Sequence, residues 1–361
     1  MAERPLRVLL DGTPLLGDRT GIGRYTALLC EELAARSDVD TRAVAFTLRG
    51  WRKLRGVLPH GARARGMPVP ARLLRRAWLH GNFPPVELFA GTTDVVHATN
   101  FVLPGISRAA GVLTIHDLAF LDAPGELPPS DAELPELVRR GARRADVICT
   151  PTDAVADAVA ERLDVDRGKI VTTPLGVDPT WFAARPPGDA LRARLGLPKE
   201  YLLFVGAPGP RKGLDWLARA HAAAPELPPL VYSGPGRFAL TERSQHTGYL
   251  TDVDLCNVVA GAAALVLPSR DEGFGLPVLE AMACDVPVVC TDIPALREVA
   301  GGLASLVGYE DTEALVEALR RAVADPHVAS TSASRRAHAA TYTWHRCADA
   351  TVEAYLRAAG R

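Results

Sequence analysis

Ala264-Leu-Val-Leu-Pro-Ser-Arg-Asp-Glu-Gly-Phe-Gly-Leu-Pro-Val-Leu-Glu280 is the most informative stretch of this 361-residue chain. The run from Ala264 to Leu267 is short, apolar and closed by Pro268, which reads as a buried strand. Gly273 and Gly275 permit a tight turn, and Pro277 suits the first turn of a helix, where no backbone N–H donor is needed. The amides of Gly275 and Leu276 then sit at a helix N-terminus carrying roughly +0.5 of an elementary charge. That end suits an anion, while Glu272 and Glu280 can accept hydrogen bonds from hydroxyls. Taken alone, such a turn is more often plain structure, with Glu280 only complementing the helix dipole.

The same grammar runs through both halves of the chain. In the first, strands are expected at Leu6–Leu10, Arg42–Leu48, Asp94–Thr99, Val112–His116, Val147–Thr150 and Lys169–Pro174, and helices over Gly23–Arg36, Glu133–Ala145 and Asp153–Leu163. The second starts again with a strand at Tyr201–Val205 and a helix over Leu214–Ala223. Strands follow at 229–233, 264–267 and 287–290, and helices at 251–261, 277–284 and 311–324. Strands alternating with helices predict parallel sheets covered on both faces. Asp178–Pro198, rich in proline and glycine, reads as the connection between two domains. The length suffices for two domains, each with its own core.

A formal net charge of -1 gives no global nucleic-acid signature. No apolar run approaches the ~20 residues that span a bilayer. The start Met1-Ala-Glu-Arg-Pro5 has no secretory apolar region, and the six cysteines form no C-x-x-C pair. Free thiols in a reducing cytoplasm are the expectation.

From Glu272 to Cys284, and on through Val286-Pro-Val-Val289, the chain resembles the retaining glycosyltransferases of family 4 almost residue for residue, with Glu272 and Glu280 as the E-x7-E pair. Further matches come in the family's order: Gly21-Ile-Gly-Arg-Tyr25, Asp94-Val-Val-His97, Thr114-Ile-His-Asp-Leu118, Gly176-Val-Asp178, Pro210-Arg-Lys-Gly213 and Gly248-Tyr249. The resemblance implies an α/β protein of the GT-B fold, with two facing Rossmann-like domains, parallel sheets and a central cleft. It implies an acceptor domain over 1–177, a nucleotide-sugar domain over 178–342, and a C-terminal helix within 343–361 that crosses back to the first domain. The implied enzyme moves a hexose from a nucleotide-diphosphate sugar to an acceptor hydroxyl, with no cofactor and no metal. The opening Asp11-Gly-Thr-Pro-Leu15 and Thr20-Gly-Ile-Gly-Arg-Tyr25 most resemble mannosyltransferase-like members. GDP-mannose is thus the leading donor and a UDP-hexose the next.

Arg211 and Lys212 follow a strand and a loop starting at Gly206, and precede a helix. Two cations there can clamp a diphosphate or merely decorate a solvated loop. The resemblance gives them the leaving diphosphate, whose oxygens gain negative charge on departure. Many members carry an arginine directly after the strand's glycine, where this chain has Ala207, so the clamp is expected to rest on Arg211 and Lys212 alone. Gly21 and Gly23 let backbone approach a phosphate or sugar closely. The full G-x-G-x-x-G fingerprint is absent because position 26 is threonine, which counts against an NAD enzyme.

His116 and Asp117 lie at the C-terminal end of a strand, where open α/β sheets bind ligands. Such a histidine is more often structural. The resemblance makes His116 a donor-sugar contact near the reacting centre, and Asp117 can instead cap the following turn. Asp11, Arg24, His97, Asn100 and Asp117 are the acceptor-side candidates. By resemblance, Glu272 holds the donor sugar's hydroxyls, Glu280 the ribose, and the backbone of Phe274, Gly275 and Leu276 the sugar and phosphate. Tyr249 and Leu250 flank the base through main-chain atoms. Retention in the family is explained by front-face attack, in which Glu272 need not be a nucleophile.

Three D-x-D triplets, Asp38/Asp40, Asp164/Asp166 and Asp252/Asp254, fall near helix ends or starts, which favours capping over metal binding. Between Thr41 and Val86 there is no acidic residue, yet Arg49, Arg52, Lys53, Arg55, Arg63, Arg65, Arg72, Arg75 and Arg76 occur with Trp51 and Trp78 interleaved. An acceptor-binding surface is the first reading and transient contact with an anionic membrane the second. Prolines at 59, 68 and 70 argue against a helix there. Only Arg237–Thr247 stands where many relatives carry a longer helical segment, and Asp285 replaces a glycine common after Ala-Cys. A sugar-nucleotide epimerase of the same fold and a catalytically silent partner subunit are the rival readings, and the oligomeric state is open.

Overall fold

The computed structural model describes all residues except 1–3, 18–20, 123–124, 126, 237–240 and 325–328. Thr20 and the front of the shortened segment 237–247 therefore lie outside the described residues. The chain divides into two units: Met1–Gly176 with Trp344–Arg361, and Val177–Thr343.

Unit 1 contains β1 (Leu6–Asp11), β2 (Val39–Val44), β3 (Arg63–Arg65), β4 (Val95–Ala98), β5 (Ala110–Thr114), β6 (Val147–Thr150) and β7 (Ile170–Thr172). All pair in parallel in the order β3-β2-β1-β4-β5-β6-β7. Unit 2 contains β8 (Leu202–Val205), β9 (Leu230–Ser233), β10 (Ser244–His246), β11 (Ala264–Leu267), β12 (Val288–Thr291) and β13 (Ser305–Val307). These pair in parallel in the order β10-β9-β8-β11-β12-β13. Each sheet grows outward from its first strand and then switches to the other side, so β1 lies beside β4 and β8 beside β11. In open α/β sheets ligands bind at this switch, beyond the strands' C-terminal ends.

The central strands are buried on both faces, as near-continuous Val, Leu and Ile runs require. The helix Ile22–Ala35 buries Tyr25, Leu29 and Leu33, one face at a spacing of four. The C-terminal helix Trp344–Ala358 belongs to unit 1 and buries Trp344, Cys347, Thr351, Val352 and Tyr355. Among the described residues no helix is long and apolar enough to cross a membrane. All six cysteines are free thiols.

Two expectations need correcting. Asp178–Pro198 is more than the connection between domains. It forms the helices Pro179–Ala183 and Asp189–Leu195 of unit 2, with Trp181 buried. Asp178 accepts the Thr180 amide, Pro179 fits the first turn, and Gly196 closes the second helix in the left-handed region. The basic stretch also contains the helix Ala71–His80. Pro70 precedes that helix, where a missing N–H costs nothing, so it starts the element it was expected to break. Trp78 is core rather than surface and donates its indole N–H to the Pro84 carbonyl.

Four of the six D-x-D carboxylates have structural partners. Asp38 pairs with Arg36, Asp40 with Arg42 and Asp254 with Arg194, while Asp166 accepts the Gly168 amide and Asp164 ends a helix with φ 53°. Asp285, expected as a replacement for a glycine, likewise takes a left-handed φ of 64° and is tied to the buried Arg335 at 2.9 Å.

Candidate functional site

In unit 2 the switch lies between β8 and β11, and the loops leaving both strands carry charge. After β8 the chain passes Gly206 and makes one tight turn, Pro210–Lys212, before the helix Leu214–Ala223. After β11, the Arg270 amide donates to the Arg211 carbonyl at 2.7 Å, joining the two loops. Gly213 makes this approach possible. It has φ 65°, and a Cβ there would collide with the Pro268 carbonyl oxygen.

Glu272 lies at the centre of the cluster, with its side chain only 9% exposed. Its Oε1 accepts from Lys212 Nζ at 2.5 Å and from Ser269 Oγ at 2.7 Å, and its Oε2 accepts from Arg211 at 3.1 Å. The same guanidinium donates to the Asp271 carbonyl at 2.8 Å. Burial pushes the Glu272 carboxyl up, but the charges of Lys212 and Arg211 and the hydrogen bonds from Lys212 and Ser269 outweigh it and hold the group below its usual value. Glu272 is therefore a carboxylate, and two cations facing one anion leave the cluster net positive. Charges this shielded are screened less than surface charges.

Three residues after Glu272, Gly275 takes φ 90° and precedes the helix Leu276–Ala283, with Pro277 in its first turn. The helix N-terminus thus follows the cluster directly, and Glu280 is buried one turn further on. The remaining donor candidates form a second group at the ends of β8 and β9. The Gly206 amide donates to the Ser233 carbonyl, and the Gly234 amide and Ser233 hydroxyl donate to the Gly248 carbonyl. This holds the backbone leading into Tyr249 and Leu250. Leu250 is buried, whereas the Tyr249 side chain is 60% exposed. Phe274 packs its ring edgewise on Tyr342.

In unit 1 the switch lies between β1 and β4. Asp11 ends β1, and its carboxylate accepts the Thr13 amide at 2.9 Å. Burial raises its pKa, and the Thr13 hydrogen bonds oppose that rise. Thr99 Oγ1 donates to the Asp11 carbonyl at 2.8 Å, and His116 Nε2 lies 2.9 Å from the Thr99 carbonyl. Asp11, Thr99 and His116 are thereby brought together. Gly21 precedes the helix Ile22–Ala35 with φ 48°, Gly23 is buried in its first turn, and Arg24 is partly exposed beside it. Asn100 is partly exposed, and its carbonyl accepts the Val102 amide. Asp117 accepts the Ala119 amide at 3.2 Å, the capping arrangement.

His97 does not fit an acceptor pocket. It is 0% exposed, with Nδ1 2.7 Å from the Tyr355 hydroxyl and Nε2 2.7 Å from Thr114 Oγ1. Both nitrogens are engaged inside the protein, and burial lowers its pKa to about 3. Sequence reasoning missed Ser269 and Thr99. Ser269 stands three residues before Glu272, a spacing that gives a hydroxyl reach to the carboxylate; Thr99 left no comparable signal.

Residues 20–176 match the family model described as "Glycosyl transferase 4-like domain", and residues 199–325 match "Glycosyl transferases group 1". Among curated relatives, O-antigen chain mannosyltransferase B of Escherichia coli is 27% identical, covering 97% of this chain and 99% of that one. A D-inositol 3-phosphate glycosyltransferase of Stackebrandtia nassauensis is 35% identical over 58% of this chain and 54% of its own. Among solved structures, the sucrose-phosphate synthase of Thermosynechococcus elongatus superposes with a TM-score of 0.73 at 20% identity, covering 98% of both chains. The two matched segments take in most of the chain, one in each unit: this protein belongs to the family 4 type of glycosyltransferases with the GT-B fold.

Proposed function

We propose that the enzyme is a retaining hexosyltransferase that takes its sugar from a nucleotide diphosphate, GDP-mannose first and a UDP-hexose second, and delivers it to an acceptor hydroxyl in glycan, glycolipid or natural-product assembly. The observation that carries this reading is the half-buried Arg211–Lys212–Glu272 cluster at the switch of unit 2, followed at once by a glycine-led helix N-terminus. As the diphosphate departs, charge builds on its oxygens, and Arg211, Lys212 and the helix amides are fixed in advance to meet it. These side chains supply the neutralisation without a metal ion.

Glu272 keeps one carboxylate lone pair beyond its three donors and accepts a hydroxyl of the donor sugar with it. Its engagement by Lys212, Arg211 and Ser269 makes it a poor nucleophile, in keeping with front-face attack. Glu280 takes the ribose, and the main chain at Tyr249 and Leu250 the base. The mannosyltransferase name of the Escherichia coli relative, matched along nearly its whole length, supports mannose as the sugar. Acceptor recognition falls to the basic stretch of unit 1, where Arg72, Leu73, Arg76 and His80 share the exposed face of the helix Ala71–His80. An anionic membrane surface is the second candidate for that face.

A thermal-shift panel on the full-length protein tests the reading. At 100 times its Kd a ligand stabilises by ~2.7 kcal/mol. GDP-mannose is expected to give the largest shift, followed by UDP-hexoses, and NMR of the product is expected to show the donor's anomeric configuration. No shift with any nucleotide sugar overturns the proposal, an inverted product overturns retention, and donor turnover without acceptor points to an epimerase.

A further inference from the structure

Four buried side chains of unit 1 form one polar file. The Tyr355 hydroxyl, on the C-terminal helix, lies 2.7 Å from His97 Nδ1; His97 Nε2 lies 2.7 Å from Thr114 Oγ1; and Thr114 Oγ1 lies 3.1 Å from the Tyr25 hydroxyl. The file ends against His116. The Tyr25 ring meets the His116 imidazole edge-on, with centroids 4.8 Å apart and planes at 81°. Phe101 is a second edgewise neighbour of the imidazole, at 5.7 Å and 80°. Phe101 holds a left-handed φ of 59°, rare for a non-glycine residue and kept only where the surroundings enforce it.

The His116 tautomer follows from its partner. A carbonyl oxygen only accepts, so Nε2, 2.9 Å from the Thr99 carbonyl, carries the hydrogen and donates it. Burial disfavours the charged ring and lowers the His116 pKa, with the Thr99 hydrogen bond and Asp117 opposing. In the neutral ring Nδ1 then bears the lone pair. Apolar side chains of similar volume could fill the space of the polar file without its desolvation cost. A satisfied buried network does something apolar packing does not: it rigidifies one arrangement.

We propose that this file is a positioning device, in which Tyr25, braced by Thr114, His97 and Tyr355, fixes the plane of His116 so that Nδ1 presents one acceptor to a sugar hydroxyl. The identity of the ligand as a sugar rests on the glycosyltransfer reading above. Tyr25, Thr114, His97 and Tyr355 act through His116 and are positioning residues; His116 makes the contact.

The test uses the full-length protein with Tyr25→Phe, Tyr25→Leu and Tyr355→Phe. Tyr25→Phe keeps the ring edge and loses only the hydroxyl, whereas Tyr25→Leu loses both. Expected are a several-fold fall in kcat for Tyr25→Phe and Tyr355→Phe and a fall of at least about thirtyfold for Tyr25→Leu, with the nucleotide Kd unchanged. Long-range 15N NMR of histidine-labelled protein, with His116 assigned by its loss in His116→Gln, is expected to show a single Nε2–H tautomer in the wild type and a mixture in Tyr25→Leu. An unchanged kcat in all three variants, a fall that only tracks lost folding or lost nucleotide binding, or an Nδ1–H tautomer in the wild type overturns the proposal. If the wild type binds no nucleotide sugar, the glycosyltransfer reading fails, and the histidine spectra still decide the positioning claim.

Discussion

At single residues the deciding quantity is what burial does to charge. Glu272 and His97 are both enclosed, and their surroundings differ in sign. Glu272 has cations against it and stays ionised; His97 has two hydroxyls against it, with His116 as a further cause lowering its pKa, and stays neutral. Both make the protein sensitive to acid, over different ranges. The folded His97 has a pKa of about 3 against a usual 6.5, so between those values the unfolded chain binds a proton that the folded chain refuses. Stability therefore falls as pH drops below 6.5. His116 and His221, also lowered by burial, add in the same direction. The stability linked to Glu272, whose folded pKa is depressed, is present above its usual 4.5 and is lost only as pH falls through the lower folded value. The thermal unfolding midpoint is thus expected to fall between pH 7 and pH 5, with a smaller fall in His97→Gln. A wild-type midpoint flat over that range contradicts the assignment.

Among elements, the tightest joint is Gly213, between the Arg211–Lys212 turn and the helix Leu214–Ala223. Gly213→Ala meets both a left-handed φ of 65° and the Pro268 carbonyl. Strain and overpacking together are expected to cost about 2–4 kcal/mol. Because Pro268 leads into the Ser269–Glu272 loop, the same change is expected to weaken nucleotide binding. Denaturant unfolding and nucleotide titration check the pair, and a variant as stable as the wild type would falsify the role given to this glycine. Elements were most legible where pattern and punctuation agreed. β6, β11 and the helices Asp153–Leu163 and Leu214–Ala223 fall where expected, each a clean apolar pattern with clear stops. β3 and β10 were not legible: Arg63-Ala-Arg65 and Ser244-Gln-His246 are three-residue edge strands without a buried apolar run to announce them. The helix Ala71–His80 was hidden by taking Pro70 for a breaker.

For the whole molecule, two parallel sheets put charged and polar side chains at their switch points; the alternating pattern implied the parallel sheets but not the strand order that creates the switches. The meeting of Glu272 with Arg211 and Lys212 was legible because each stands in a short local motif with its own stop and turn residues. His97 was misread because its partner, Tyr355, lies 258 positions away, and no local pattern records that contact. Family membership fixes the reaction class, while the proposed grip on a donor diphosphate rests on the chemistry of one cluster. Calorimetric titration of GDP-mannose into the full-length protein and its Lys212→Ala variant probes that cluster most directly. We predict at least a tenfold weaker Kd in the variant, about 1.4 kcal/mol, with its fold intact. Equal affinity in the two proteins would contradict the assignment of Arg211 and Lys212 to the diphosphate.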